Sequence, residues 1–89
     1  MTLDLVLTFF WFDEIAAGRK NIEYREIKPI WYRRIWKKRD EITHVRFRRG
    51  YTSKSLKFKV DFIDIGVCPY DGWNDKYFRI HFSEIKDKK

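Results

Sequence analysis

The chain has 89 residues, of which 44% are hydrophobic, 19% aromatic and 37% charged. This length limits the protein to one domain, and the density of large apolar side chains excludes an intrinsically disordered chain. The single cysteine, Cys68, excludes an internal disulfide framework and a cysteine-rich zinc site.

The net charge of +7 is unevenly distributed along the chain. Between residues 19 and 59 there are 15 Lys or Arg against 4 Asp or Glu, a local charge of +11, with Trp and Tyr interleaved among them. A basic, aromatic stretch of this kind is typical of surfaces that meet nucleic-acid phosphate, although a small basic protein can also carry such charge for solubility.

The first predicted element is a strand, because leucines alternate with other residues from position 3 to position 7. A helix follows from about residue 10 to residue 17, with Asp13 and Glu14 in its first turn and Gly18 as its left-handed stop. This apolar start has no basic leader and is broken by acidic residues, so it predicts neither a signal peptide nor a membrane span. We therefore expect a soluble, cytoplasmic protein that does not associate with membranes.

The hydrophobic period changes to two between residues 20 and 27, which places Glu23 and Arg25 side by side on one face of a second strand. Pro29 then suits the first turn of a second helix. Aromatic and aliphatic residues recur at i, i+4 spacing after it, and basic residues cover the remaining surface. The pattern predicts a basic, amphipathic helix.

Alternation over residues 45–62, interrupted by a turn at 50–55, predicts a hairpin with a basic outer face. The apolar positions change parity near residues 61–64, which indicates a β-bulge that would turn a barrel. A loop at 68–75 and a last strand at 77–82 complete the predicted sheet.

Four residues at fixed spacing carry the clearest chemistry: Gly18, Lys20, Glu23 and Arg25 form the pattern GxKxxExR. Lys20 is a compact cation that burial can neutralise, Glu23 can take a proton, and Arg25 is a permanent planar fork suited to phosphate or a base edge. Such a trio could bind an anion or move a proton. The alternative is an ion-pair ladder on a solvated strand face.

This pattern is the hallmark of the ASCH family, a branch of the PUA-like fold, and the chain resembles that family. Three further segments, at residues 11–18, 24–31 and 47–51, are similar to small bacterial and phage members. The resemblance covers residues 3–82.

The resemblance implies an α+β protein, namely a small PUA-like mixed β-barrel of about five strands with two flanking helices. We expect the domain to span residues 1–85 and residues 86–89 to form a disordered tail. In this family the motif residues line a cleft between helices and barrel, so Lys20, Glu23 and Arg25 would face RNA, a nucleotide or a nucleoside there.

Further basic and aromatic residues could extend such a site. Candidate phosphate contacts are Lys28, Arg33, Arg34, Lys37, Arg48 and Arg49, although each could equally be an ordinary exposed base. Candidate stacking residues are Trp31, Tyr51 and Trp73. Core packing is the alternative for Trp31, since an isoleucine follows four residues later, whereas Tyr51 follows a glycine at a turn and is the stronger stacking candidate.

An enzyme is the second hypothesis, with Lys20 and Glu23 as the catalytic pair. Some ASCH proteins hydrolyse an amide on a modified cytidine with a lysine, a threonine and a later glutamate. This chain has Glu23 at the position aligned with the threonine, and its later strand offers only Asp61 and Asp64. Other members are reported to cut RNA, for which Lys20 and Glu23 could act as acid and base, with His44 or His81 as outside candidates.

A third hypothesis is a protein-interaction module that uses its basic surface against an acidic partner. The segment Thr8-Phe9-Phe10 also replaces lysine or other polar residues of many relatives, so this edge of the cleft is expected to be more apolar. The sequence suggests no metal and no cofactor, since two isolated histidines and one cysteine have no ligand spacing and the glycines form no phosphate loop.

Overall fold

The computed structural model describes residues 1–86. The predicted tail at 86–89 therefore lies, apart from Lys86, outside the described residues. The elements in chain order are β1 Thr2–Leu7, α1 Phe9–Ala16, β2 Ile22–Glu26, α2 Pro29–Trp31 with a π-helical turn Tyr32–Trp36, β3 His44–Arg49, β4 Ser55–Val67 and β5 Lys76–Ser83. No helix within residues 1–86 combines the length and the hydrophobicity needed to cross a bilayer.

The strands form one mixed sheet in the order β1-β3-β4-β5-β2, which curls into a half-barrel. β1 runs parallel to β3, and the other three pairings are antiparallel. The two ends of this order, β1 and β2, are edge strands. The prediction of an α+β protein with a mixed sheet of about five strands and two helices is confirmed.

The core lies on the concave side of the sheet, beneath α1 and the π-helical turn. β1, β3, β4 and β5 contribute alternate residues to it, as the period-two patterns predicted, whereas β2 places Glu23 and Arg25 opposite the core residues Ile80 and Phe78. The side chains with almost no exposure are Leu5, Phe12, Ile35, Val45, Phe47, Phe78 and Ile80. α1 begins and ends one residue earlier than predicted, and Gly18 follows it at φ 79°, a conformation that favours glycine.

The second helix differs from the prediction, because its α-helical part is a single turn. Lys37 donates to the carbonyl of Tyr32, five residues earlier, which widens the following turn into a π-helix. The wider turn buries Ile35 completely and stacks Trp36 on Phe78 with 5.7 Å between ring centroids, while Tyr32 stays exposed. Core packing at these two positions accounts for the departure from a regular α-helix.

The predicted bulge is present in β4, where the pairing with β5 shifts between Val60 and Phe62. Asp61 is the extra residue, and its carboxylate accepts a hydrogen bond of 2.9 Å from the Ser83 hydroxyl. The shift lets Ile63 face the core again beside Ile80, after Val60 has done so before the bulge. The parity change in the sequence is thus a change of register in the sheet.

Candidate functional site: a cleft around a buried charge cluster

The segment between α1 and β2 brings Lys20 into the protein interior. After the left-handed Gly18, the backbone N–H groups of Arg19 and Lys20 both donate to the carbonyl of Glu14, at 3.0 and 3.3 Å. These bonds hold the chain against the end of α1 before β2 begins. The side chain of Lys20 is only 4% exposed as a result.

Lys20, Glu23 and Arg25 form one charge cluster, as the strand alternation predicted for the last two. Lys20 Nζ lies 2.8 Å from Glu23 Oε1, and Arg25 Nη2 lies 2.8 Å from Glu23 Oε2. Arg25 Nε donates to the same Oε2 at 2.9 Å. Two cations therefore share one carboxylate that is 5% exposed, which leaves a net charge of +1 in a largely desolvated site.

Aromatic rings surround the ammonium of Lys20. Its Nζ is 4.3 Å from the ring centroid of Trp11 on α1, 5.8 Å from that of Tyr24 on β2, and 5.7 Å from that of Tyr70 in the loop after β4. Ring faces attract a cation and replace part of its lost hydration. Burial raises the pKa of both tyrosines, so the phenols stay neutral beside the lysine.

Two arginine side chains bind the edge strand β1, one from the edge strand β2 and one from the π-helical turn. Arg25 on β2 donates through Nη2 to the Val6 carbonyl of β1 at 3.2 Å, and Arg34 donates to the Asp4 carbonyl at 2.9 Å. Both guanidinium groups pack on Trp31, at 4.8 and 5.1 Å from its ring centroid. We call this contact region the seam of the half-barrel.

A cleft of about 380 Å³ opens between the seam, the charge cluster and α1. This volume lies within the range of small-molecule sites. Its walls are Val6, Leu7, Thr8, Trp11, Lys20, Glu23, Tyr24, Arg25, Glu26, Trp31 and Trp73. A larger cavity, of about 490 Å³, lies beyond the end of α1 against β4 and β5; its charged wall residues are Lys20, Lys57 and Glu84, and neither Glu23 nor Arg25 lines it.

Among the predicted aromatic contacts, Trp31 and Trp73 line this cleft, whereas Tyr51 does not. Tyr51 stands at the tip of the β3–β4 hairpin and is 99% exposed. Trp31 also packs against the core. Core packing, the alternative interpretation of this residue, is therefore confirmed, and the same ring also lines the cleft.

The predicted phosphate contacts lie outside the cleft. Lys28 pairs with Glu26 at 3.3 Å, and Arg48 lies on the convex face of the sheet. Arg33 and Arg34 border a groove beside the start of β1. Arg49 makes a two-bond ion pair with Asp13, at 2.9 and 3.1 Å, and is thereby committed to holding β3 against α1.

The outside candidates for catalysis face away from the cleft. Asp64 accepts two bonds from Arg79, at 2.8 and 2.6 Å, and lies 3.0 Å from His81 Nε2 on the convex face. His44 contacts the hydroxyl of Thr43 at 2.8 Å. Neither aspartate of β4 stands among the cleft residues.

Sequence reasoning missed Tyr70 and the role of Trp11 as walls around Lys20. Tyr70 lies in the 68–75 loop, where no periodicity relates a residue to a strand face. The ring contacts of Tyr70 with Trp11 at 4.9 Å and with Tyr24 at 5.7 Å place this loop against the cleft. An excess of aromatic residues in an otherwise polar loop was the available signal.

Comparison with protein-family models, curated proteins and solved structures found no significant match. Within residues 1–86, no three His, Cys, Asp or Glu side chains are grouped in a way that could hold a metal ion. The chemistry of the cleft is therefore the guide to its function.

Proposed function

We propose that the protein is an RNA- or nucleotide-binding module of the ASCH type with a PUA-like fold, and that one nucleotide unit occupies the cleft. The observation that carries the proposal is the shared carboxylate of Glu23. Two cations, Lys20 and Arg25, lie against the carboxylate of Glu23 in a site walled by aromatic rings, so this cluster has an excess positive charge. Glu26 also lines the cleft, and its carboxylate pairs with Lys28 at 3.3 Å. An anionic ligand with an aromatic base satisfies both features.

Arg25 is the residue that meets the ligand. Its side chain is 17% exposed, against 4% for Lys20, and its Nη1 has no hydrogen-bond partner among residues 1–86. A phosphate or base edge can accept from this nitrogen while Glu23 and Val6 hold the rest of the guanidinium. Lys20 lies deeper than Arg25 and adds positive charge to the floor of the cleft.

The proposed contacts of the base are the ring of Trp73 and the part of the Trp31 ring that Arg25 and Arg34 leave uncovered. Both rings line the cleft and neither is fully buried. Aromatic faces accept any nucleobase, so stacking supplies affinity without sequence preference.

The geometry does not favour a hydrolytic role. Both oxygens of Glu23 already contact cations, and with 5% of its side chain exposed little of the carboxylate is open to a bound water. The two aspartates of β4 that could have replaced the later glutamate bond to other partners outside the cleft.

Tryptophan fluorescence can test the proposal, because three of the four tryptophans line the cleft. Titration with each of the four nucleoside 5′-monophosphates is expected to change the emission, with an affinity that falls as salt is added. Arg25→Gln should weaken binding at least tenfold, whereas Arg19→Gln, with 63% side-chain exposure, should leave it unchanged.

Absence of any emission change, or equal losses in the two variants, would contradict the proposal. Incubation with acylated nucleosides and labelled RNA tests the enzyme hypothesis in the same samples. Product formation that disappears in Lys20→Ala would replace a binding module with a hydrolase.

A further inference from the structure

Basic side chains line the convex side of β1, β3 and the first half of β4. The cross-strand pairing places Arg46 between Asp4 and Lys57, with Arg48 and Lys59 in neighbouring rows. Arg34 and its neighbours continue the charge around the edge of β1. The members of this basic face are Arg46, Arg48, Lys57 and Lys59 on the sheet, and Arg33, Arg34 and Lys38 beside the β1 edge.

The charge of the basic face is poorly neutralised. Within Thr2–Leu7, His44–Arg49 and residues 55–60, Asp4 is the only acidic residue. It lies 3.5 Å from Arg46 and 3.9 Å from Arg48, with 46% of its side chain exposed, so both pairs are loose and solvated. On these strands the four cations Arg46, Arg48, Lys57 and Lys59 against Asp4 leave a charge of +3 on the convex side.

The basic face adjoins the cleft at Trp31. Arg34 of the basic face and Arg25 of the cleft pack on this one ring. They donate to the carbonyls of Asp4 and Val6, which are two residues apart on β1. A chain that leaves the cleft across the seam therefore reaches the basic face directly.

An exposed aromatic ring stands at the hairpin tip beside this face, at the end where the Gly50 N–H donates to the carbonyl of Leu7, a cleft residue, at 2.8 Å. Arg48 lies two residues before Gly50, and the turn that follows presents Tyr51 with 99% of its surface exposed. This ring offers a stacking surface beside a row of cations.

We propose that the ligand is a single-stranded RNA of several nucleotides, with one nucleotide in the cleft and the backbone continuing over the basic face towards Tyr51. This inference rests on the proposed function, because it takes the cleft as one end of the path. Cations along adjacent strands repeat at intervals of roughly 5 to 7 Å, which suits successive phosphates, and stacking on Tyr51 requires an unpaired base.

The experiment compares two charge-matched double variants. Arg46→Gln/Lys57→Gln removes a directly paired arginine and lysine from the basic face, and Arg19→Gln/Lys76→Gln removes the same charges elsewhere. The probes are uridine 5′-monophosphate and a labelled oligouridylate of about ten nucleotides, measured by fluorescence anisotropy over a range of salt. Thermal melting confirms that each variant is folded.

The basic-face variant is expected to bind the oligonucleotide at least tenfold more weakly, with a salt slope lower by about 1.4, or roughly 0.7 for each lost phosphate contact. The monophosphate affinity and the control variant should be unchanged, and Tyr51→Ala should weaken only oligonucleotide binding. Equal losses in both double variants, tighter binding of a duplex of the same length, or an oligonucleotide affinity no greater than that of the monophosphate would overturn the inference.

The experiment distinguishes failure of the cleft proposal from failure of the basic-face proposal. Oligonucleotide binding that depends on Arg46 and Lys57 but not on Arg25 would remove the cleft from the path. It would leave the basic face as an RNA surface and contradict the shared path proposed here. Monophosphate binding that depends on Arg25, without tighter binding of the longer strand, would retain the cleft alone.

Discussion

Arg25 on β2 donates a hydrogen bond of 3.2 Å to the main-chain carbonyl of Val6 on β1, so a side chain joins the two edge strands of the sheet. The same guanidinium bonds to Glu23 through two nitrogens. A structural role and the proposed ligand contact are thus combined in one residue, and they can be separated by substitution.

Arg25→Lys tests the seam. Lysine keeps the positive charge near Glu23 but lacks the planar fork that reaches Val6 at the same time. We expect the free energy of unfolding in urea to fall by roughly 1 to 3 kcal/mol, the usual value for hydrogen bonds with a charged group. Arg19→Lys is the control, because its side chain is 63% exposed, and a loss of similar size in that variant would argue against the seam.

Glu23→Gln tests the charge cluster. The substitution leaves Lys20 and Arg25 without a counter-charge in a site where the lysine is 4% exposed. Breaking a buried pair in this way costs about 3 to 5 kcal/mol of unfolding free energy, measured by urea denaturation. Glu26→Gln, on the same strand with 63% exposure, should change stability by less than about 1 kcal/mol.

If Glu23→Gln does not fold, a second variant still tests the role of the charge cluster. Lys20→Met/Glu23→Gln removes both partners and retains an acceptor for Arg25. It should be more stable than the single variant, since a neutral replacement of a buried pair is often tolerated. A double variant no better than Glu23→Gln would mean that the unpaired lysine is not the source of the loss.

Asp64→Asn tests the pH dependence of the convex-face ion pair. The hydrogen bonds from Arg79 hold the pKa of Asp64 below its ordinary value, and His81 adds to the effect. A carboxylate whose pKa is lowered by folding stabilises the protein above its unfolded pKa and loses this contribution as the pH falls through the folded pKa.

The difference in unfolding free energy between the parent protein and Asp64→Asn should therefore be present above about pH 5 and shrink below about pH 4. Urea denaturation at several pH values measures it. Asp71→Asn, at an exposed loop position, controls for the change in net charge. A difference that grows on acidification would show that the sign of this linkage is wrong.

Gly66→Ala tests the packing of Arg79. A Cβ on residue 66 would overlap the guanidinium of Arg79, although the glycine has an ordinary φ and the backbone itself would not be strained. The arginine must move away, which weakens its bonds to Asp64. We expect a loss of about 1 to 3 kcal/mol in unfolding free energy.

The effect of Gly66→Ala should be smaller in an Asp64→Asn background, because the ion pair is already broken there. A double-mutant cycle measures this coupling. Purely additive losses of unfolding free energy would show that the alanine does not act through the Asp64–Arg79 ion pair.

The sequence predicted the sheet well because strand alternation is a local property. The leucines of β1, the shared face of Glu23 and Arg25, and the parity change at Asp61 all depend on neighbours within a few residues. The bulge in particular followed from the order of apolar residues alone.

Long-range contacts limited what could be predicted about the site. Arg49 has a strand position typical of a free phosphate contact, yet it pairs with Asp13, which is 36 residues away. The burial of Lys20 depends on Trp11 and Tyr70, which belong to a helix and a distant loop. The π-helical turn arises because Ile35 must reach a core that no local pattern describes.

Backbone hydrogen bonds join the four neighbouring strand pairs of this sheet, whereas the side chain of Arg25 joins the two edge strands β1 and β2 and packs on the Trp31 ring. The edge strands can separate locally while every strand keeps its backbone hydrogen bonds, so this opening costs much less free energy than global unfolding. Since Val6, Arg25 and Trp31 also border the cleft, displacement of these side chains would widen its entrance without any change in strand pairing.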